Sequence, residues 1–218
     1  MQFSLLGFPT RVTGSFLLTI GFIGFISFPE QIDRIILFAA VATVAVLIHE
    51  LGHAFAAKSQ GTTAPPQISL EGFAGLTRYR LQTPPGRLQS IFISFAGPLA
   101  GIVLGLIVVG LDQAGVFGGS LLARDFVRVS IFTTFIWSAF NLLPIVPLDG
   151  GHIMTDLLPG EVHERQRLAA MVSIFIAVVV GAVLWWQLRL LFAPIILGLM
   201  AWQNYQTLAK SKRPAVPQ

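Results

Sequence analysis

Six stretches of this chain run for roughly 17 to 23 residues with few or no charges, close to the length a tilted helix needs to cross a bilayer. They are Val12–Phe28, Ile35–Ala57, Ile91–Leu111, Val129–Leu148, Leu168–Leu188 and Leu190–Leu208. Lipid offers no partners to backbone N–H and C=O groups, so such runs must satisfy them internally, as helices. Composition agrees: 54% of the 218 residues are hydrophobic and 11% charged, against about 25% charged in a soluble domain. A soluble globular enzyme, a disordered chain and a secreted domain are thereby excluded. The expectation is an all-α membrane protein of about six transmembrane helices. One polytopic domain would span residues 1–208, with a disordered basic tail at 209–218. Only Arg189 separates the last two runs, so a tight hairpin is expected there.

Charge placement gives an orientation. With six spans, ten of the fourteen Lys and Arg residues fall on the side that holds both termini. By the positive-inside rule that side is the cytoplasm, and the expected location is the cell membrane, multi-pass. Met1–Thr10 has no basic region, so no cleavable signal is expected. The net charge of +4 is scattered among loops and predicts no nucleic-acid partner. The chain has no Cys, which leaves His, Asp, Glu, Ser and Thr for any metal or nucleophile chemistry.

The second run ends in His49-Glu50-Leu51-Gly52-His53, an H-E-x-x-H pattern flanked by apolar residues. Helix positions i and i+4 share a face, so His49 and His53 can hold one ion together. Glu50 is placed to reach a water beside that ion rather than to ligate it. Neutral imidazole suits zinc, which brings the pKa of bound water to about 7. Chance placement of the chain's His and Glu residues would give about 0.002 such matches. The bland alternative, two satisfied histidines at a helix end, is the weaker one: three ionisable groups at lipid depth are costly without a purpose. Ile35–Ile48 rises about 21 Å, which puts the pair several ångströms inside the cytoplasmic boundary of a roughly 30 Å core.

A catalytic zinc needs a third protein ligand and an open position. Asp112 and Asp125 fall on the far side of the membrane. On the cytoplasmic side stand Glu71, Asp149, His152, Asp156, Glu161, His163 and Glu164. Asp149 stands out, because Pro144 and Pro147 break the fourth run just before it and Gly150-Gly151 allows a sharp turn after it. Broken helix at membrane depth is tolerated where it is buried in protein or lines a cavity. His152 is the rival ligand, and a plain turn carboxylate is the structural alternative for Asp149.

These residues together resemble a known family. His49-Glu-Leu-Gly-His53, then Ser94-Phe-Ala-Gly-Pro98, then Asn141-Leu-Leu-Pro-Ile-Val-Pro-Leu-Asp149-Gly-Gly-His152 are similar, in order, to motifs of the site-2 protease family of intramembrane zinc metalloproteases. The resemblance covers about Ile35 to His152. It implies His49, His53 and Asp149 as ligands of one zinc ion per chain and Glu50 as general base. It also implies Asn141 as a polar partner of the substrate carbonyl or oxyanion. An Asn at lipid depth can instead bond a neighbouring helix. The implied substrate is a single-pass or otherwise membrane-anchored protein cut within its transmembrane segment. With no room for a PDZ or CBS domain, the chain looks like a compact form. A membrane metal carrier or a metal-stabilised partner protein is the competing class. It would scatter ionisable groups over several helices, whereas the first, third, fifth and sixth runs contain no charged residue.

Three further features complete the expectation. Gly97, Gly101 and Gly105 form a small-xxx-small stripe for close packing; Gly97 and Pro98 are also candidate substrate contacts, and Pro98 marks a kink or early turn. Gln67–Leu81 alternates polar and apolar residues around Gly72 and Gly75, predicting one or two short membrane-associated strands between the second and third helices. An exposed edge there, at Ser69 and Leu70, could hold an unwound substrate by strand addition; an amphipathic loop is the alternative. Trp185, Trp186, Trp202 and Tyr205 read as interface anchors, and the basic tail as a segment that touches anionic lipid.

Overall fold

The computed structural model describes residues 1–72, 74–188 and 192–211. In chain order they form strands β1 (Gln2–Leu5) and β2 (Phe8–Val12), helices α1 (Gly14–Ser27) and α2 (Ile32–Ser59), and strands β3 (Gln67–Glu71) and β4 (Ala74–Arg78). Helices α3 (Arg87–Gln113) and α4 (Leu121–Ile131) follow, then a π-helical segment (Phe132–Ile136) and α5 (Trp137–Asn141). The described chain closes with α6 (Asp149–Leu157), α7 (Val162–Leu188) and α8 (Phe192–Ser211). Two compact units result, one of Met1–Pro85 with Phe95–Phe140, the other of Gly86–Ser94 with Asn141–Gln218.

The molecule is mostly helical. By length and apolarity, α2, α3 and Val162–Gln187 of α7 can cross a membrane, and α1 is a shorter apolar helix. Large apolar side chains stand exposed along these helices, among them Leu18 at 77% and Phe175 at 69%. Contiguous apolar exposure on this scale is rare in water and is what a lipid-facing surface requires. The Arg189 boundary lies outside the described residues. Of the tail expected at 209–218, the first three residues still belong to α8 and the rest lie outside the description.

In the first unit, the β segment is larger than its sequence suggested. Four strands lie in the order β1-β2-β3-β4, antiparallel except for the parallel β2–β3 pair. The N-terminal hairpin was not expected. Its two-residue turn puts both Leu6 (φ 50) and Gly7 (φ 86) at positive φ, the turn whose twist suits a hairpin. One face of the sheet supplies Phe8, Val12, Ile68 and Leu70 to a core shared with Phe16, Ile20, Phe38, Ala42 and Val46 of α1 and α2. Thr13 ties the first helix to the sheet. Its hydroxyl accepts from Phe16 N–H as the N-cap of α1, and its backbone N–H and its hydroxyl both donate to Leu70 O. Near the end of α2, Phe55 meets Phe8 edge to face at 4.9 Å, and Lys58 lies over the same Phe8 ring. At its start, Arg34 pairs with Asp125 of α4 at 2.8 Å.

The stripe on α3 packs as expected. A Cβ on Gly101 would strike the Ser138 hydroxyl, and one on Gly105 would meet Thr134 and Phe135. Thr133 and Thr134 sit in the π-helical segment and return their hydroxyls to Val129 O and Ser130 O at 2.8 and 2.7 Å. Such back-bonding relieves buried hydroxyls while loosening the regular ladder. At Pro98 the helix does not end: α3 runs through it to Gln113. Pro98 occupies a helical position with its ring fully buried, so the early turn does not form.

In the second unit, Pro144 and Pro147 break the helix as expected, and α6 starts at Asp149. The exposed backbone of the break finds side chains on the last two helices. Val146 N–H donates to Ser173 Oγ at 2.9 Å, and Asn204 Nδ2 donates to Val146 O at 2.6 Å. Both partners are buried, so the broken backbone is satisfied within the protein. Gly150 and Gly151 serve a different end from the sharp turn expected of them. Both are helical residues of α6, and a Cβ on either would collide with the backbone of Leu142 or Ile145. Their bareness lets the first turn of α6 press against the break.

Candidate active site

Helix α2 carries the three motif residues on its buried side: His49 is 3% exposed, Glu50 4% and His53 7%. Spacing of four residues stacks the two imidazoles, with ring centroids 4.8 Å apart and Nε2 facing Nε2 at 3.2 Å. That separation allows a hydrogen bond in one tautomer pairing. It is also close to the roughly 3.3 Å between two nitrogens bound 2.0–2.1 Å from a tetrahedral zinc. Two imidazole nitrogens so placed, buried and aimed at one another, fit the ion that the sequence implied.

Small residues surround the pair for a steric reason. Gly52, inside the motif, stands where a Cβ would strike the Ala96 carbonyl of α3. Gly97 lies against the His53 ring, and a Cβ there would overlap the imidazole. Gly97, expected to touch substrate, is thus placed as the bare patch that seats His53. Pro98, expected beside it in the same role, is fully buried.

Strand β4 supplies what the sequence did not disclose. The Thr77 hydroxyl donates to Glu50 Oε2 at 2.7 Å and lies 3.1 Å from Glu50 O. Two residues earlier on the same face, Gly75 abuts the carboxylate, and a Cβ there would collide with it. Neither residue carries a local signal; the alternation of Leu76, Arg78 and Arg80 with Thr77, Tyr79 and Leu81 gave only the strand.

The open strand edge expected at Ser69 and Leu70 is not found there. β3 is paired on both sides, with β2 and with β4. Leu70 is completely buried, and the Ser69 hydroxyl accepts from Arg78 Nη1 at 3.3 Å. The N-terminal hairpin took the side that the sequence left open, so the outermost strands are β1 and β4.

Asp149 and Asn141 belong to the second unit, Asp149 as the first residue of α6 and Asn141 as the last of α5. Asp149 is half-buried, whereas the rival His152 is exposed.

The profile of peptidase family M50 matches residues 37–115 and 115–182, well over half of the chain. The chain belongs to peptidase family M50. This is the site-2 protease family that the three motifs resemble. Among family relatives, a zinc metalloprotease of Methanocaldococcus jannaschii is 27% identical over 157 residues, covering 72% of this chain and 44% of that protein. A relative from Synechocystis is 28% identical over 171 residues, 71% of this chain and 43% of its own length. The chain thus matches less than half the length of these two curated relatives. The solved site-2 protease from Methanocaldococcus jannaschii shares the M50 fold with this chain at a TM-score of 0.64. That match spans 100% of this chain and 98% of the other, at 20% identity.

Proposed function

We propose that this M50 protein is an intramembrane zinc metalloendopeptidase that cleaves a transmembrane segment of a membrane-anchored protein. The observation that carries the reading is the buried trio on α2: two imidazoles within 3.2 Å beside a carboxylate held by a second element. One zinc ion per chain would be held by His49, His53 and Asp149, two imidazoles and a carboxylate. Bound there, zinc supplies Lewis acidity toward the scissile carbonyl and acidifies a water. Glu50 takes a proton from the attacking water as it adds to the carbonyl carbon. It returns that proton to the amine nitrogen as the C–N bond breaks. Asn141 donates to the carbonyl oxygen as negative charge gathers on it.

A continuous substrate helix keeps its carbonyls hydrogen-bonded, so the segment must unwind first. The outer strand β4 is the natural receiver of an unwound segment, since strand addition needs an unpaired edge. Replacing alternate backbone N–H groups near the cleavage site by N-methyl groups should therefore raise KM several-fold. An N-methylated substrate cut as well as its parent would remove β4 from the reading.

Six spans with both termini in the cytoplasm remain the topology we infer, from the ten-to-four division of basic residues. A Cys introduced at Ser211 into this Cys-free chain should stay unlabelled by impermeant reagent applied to intact cells. Labelling from outside would reverse the orientation. Activity itself is tested by comparing membrane-protein fragments, by mass spectrometry, in cells with the wild type and with Glu50→Gln. Fragments present only with the wild type are expected, whereas a carrier or a metal-stabilised partner would leave both samples alike.

A further inference from the structure

We propose that Thr77 is a positioning residue for Glu50, and that strand β4 sets the carboxylate for proton transfer; this rests on Glu50 being the general base. An ionised carboxylate only accepts hydrogen bonds, so the 2.7 Å contact has the Thr77 hydroxyl donating to Oε2. The same hydroxyl lies 3.1 Å from the carbonyl oxygen of Glu50. One atom therefore stands against both the main chain and the side-chain tip of the same residue, which limits how the intervening bonds can rotate.

Gly75 completes the seat. It shares its strand face with Thr77, and its bare Cα faces Oε1, Cγ and Cδ of Glu50. Oε2 is engaged by the hydroxyl, and the bare Cα of Gly75 makes room for the rest of the carboxylate. A carboxylate that must take a proton from one direction and give it to another has to be held in one orientation, and the Thr77 contact supplies a fixed point. The strand that orients the base is also the outermost strand of the sheet, so a segment paired with it shares a register with Glu50. Thr77 does not reach the reacting atoms; it acts through the carboxylate.

Thr77→Val removes the hydroxyl and keeps the branched shape, while Thr77→Ser keeps the hydroxyl and loses a methyl group. The test uses the full chain in liposomes, with a single-pass substrate identified by the fragment comparison. It reads kcat and KM, zinc content by metal analysis, and the infrared carboxylate band that is absent from Glu50→Gln. Thr77→Val should keep its zinc and lose about 10- to 100-fold in kcat, the scale of an ångström-sized misplacement, with KM within about 2-fold. Its carboxylate band should shift. Thr77→Ser should recover most of the rate and the wild-type band. Wild-type kcat in Thr77→Val, equal impairment of the Val and Ser variants, or loss of zinc from Thr77→Val would each overturn the proposal. Glu50→Gln run in parallel separates the two ideas. If Glu50→Gln still cuts, the general-base reading fails; if it is inert while Thr77→Val is normal, only the role of Thr77 fails.

Discussion

Glu50→Gln is expected to retain close to one zinc per chain and to lose cleavage by a factor of about 100 or more, the usual scale of general acid–base catalysis. Gln keeps the size of the side chain and can still accept the Thr77 hydroxyl through its amide oxygen, so the seat on β4 survives. It has no carboxylate to take a proton at neutral pH. Metal analysis of the purified variant beside a cleavage assay reads both halves of the prediction. His49→Ala and His53→Ala should behave differently, losing metal and activity together. A Glu50→Gln protein that still cuts would remove Glu50 from the chemistry. If it lost its zinc, the carboxylate would have to be counted among the ligands.

The second large effect is expected from a residue that lies against the His53 ring. In Gly97→Ala the new methyl group would occupy space now filled by the His53 ring. Close-packed helices yield little, and overpacking of this kind costs about 1–3 kcal/mol. The ring must turn or α3 must withdraw, and either change spoils the 3.2 Å alignment with His49. Zinc affinity should fall by about 100-fold or more, since disturbing even an outer partner of a ligand costs 10- to 100-fold. Gly110→Ala on the same helix is the control, because its Cβ meets nothing within 4 Å. Equilibrium zinc binding decides the matter. Were Gly97 a substrate contact instead, the Ala variant would hold zinc normally and show only a raised KM.

What could be read from the sequence was local. His49, Glu50 and His53 are legible because four residues of helix determine their mutual placement whatever surrounds them. The break at Pro144 and Pro147 is legible because proline removes a donor and clashes wherever it falls in a helix interior. Thr77 was not, because its partner stands 27 positions away and nothing in a Thr on a short strand announces a carboxylate opposite. The N-terminal hairpin escaped for a related reason. In Phe8–Val12 the polar Thr10 stands on the buried face and Pro9 on the exposed one, so the apolar–polar alternation that marks a strand is blurred. That omission moved the open edge of the sheet from β3 to β4. Glycines were the most ambiguous residues: Gly52, Gly75, Gly97, Gly150 and Gly151 all serve close approach, and which atoms approach is a property of the fold.

The clamp on Val146 has a consequence for biosynthesis. The break that precedes Asp149 leaves the ribosome well before Ser173 and Asn204, the side chains that satisfy its backbone. Until α7 and α8 have been made, Val146 lacks both of the side chains that satisfy its N–H and C=O. The break before Asp149 therefore reaches its final hydrogen bonding only when the last helices are present, well after the His49–His53 motif has been synthesised.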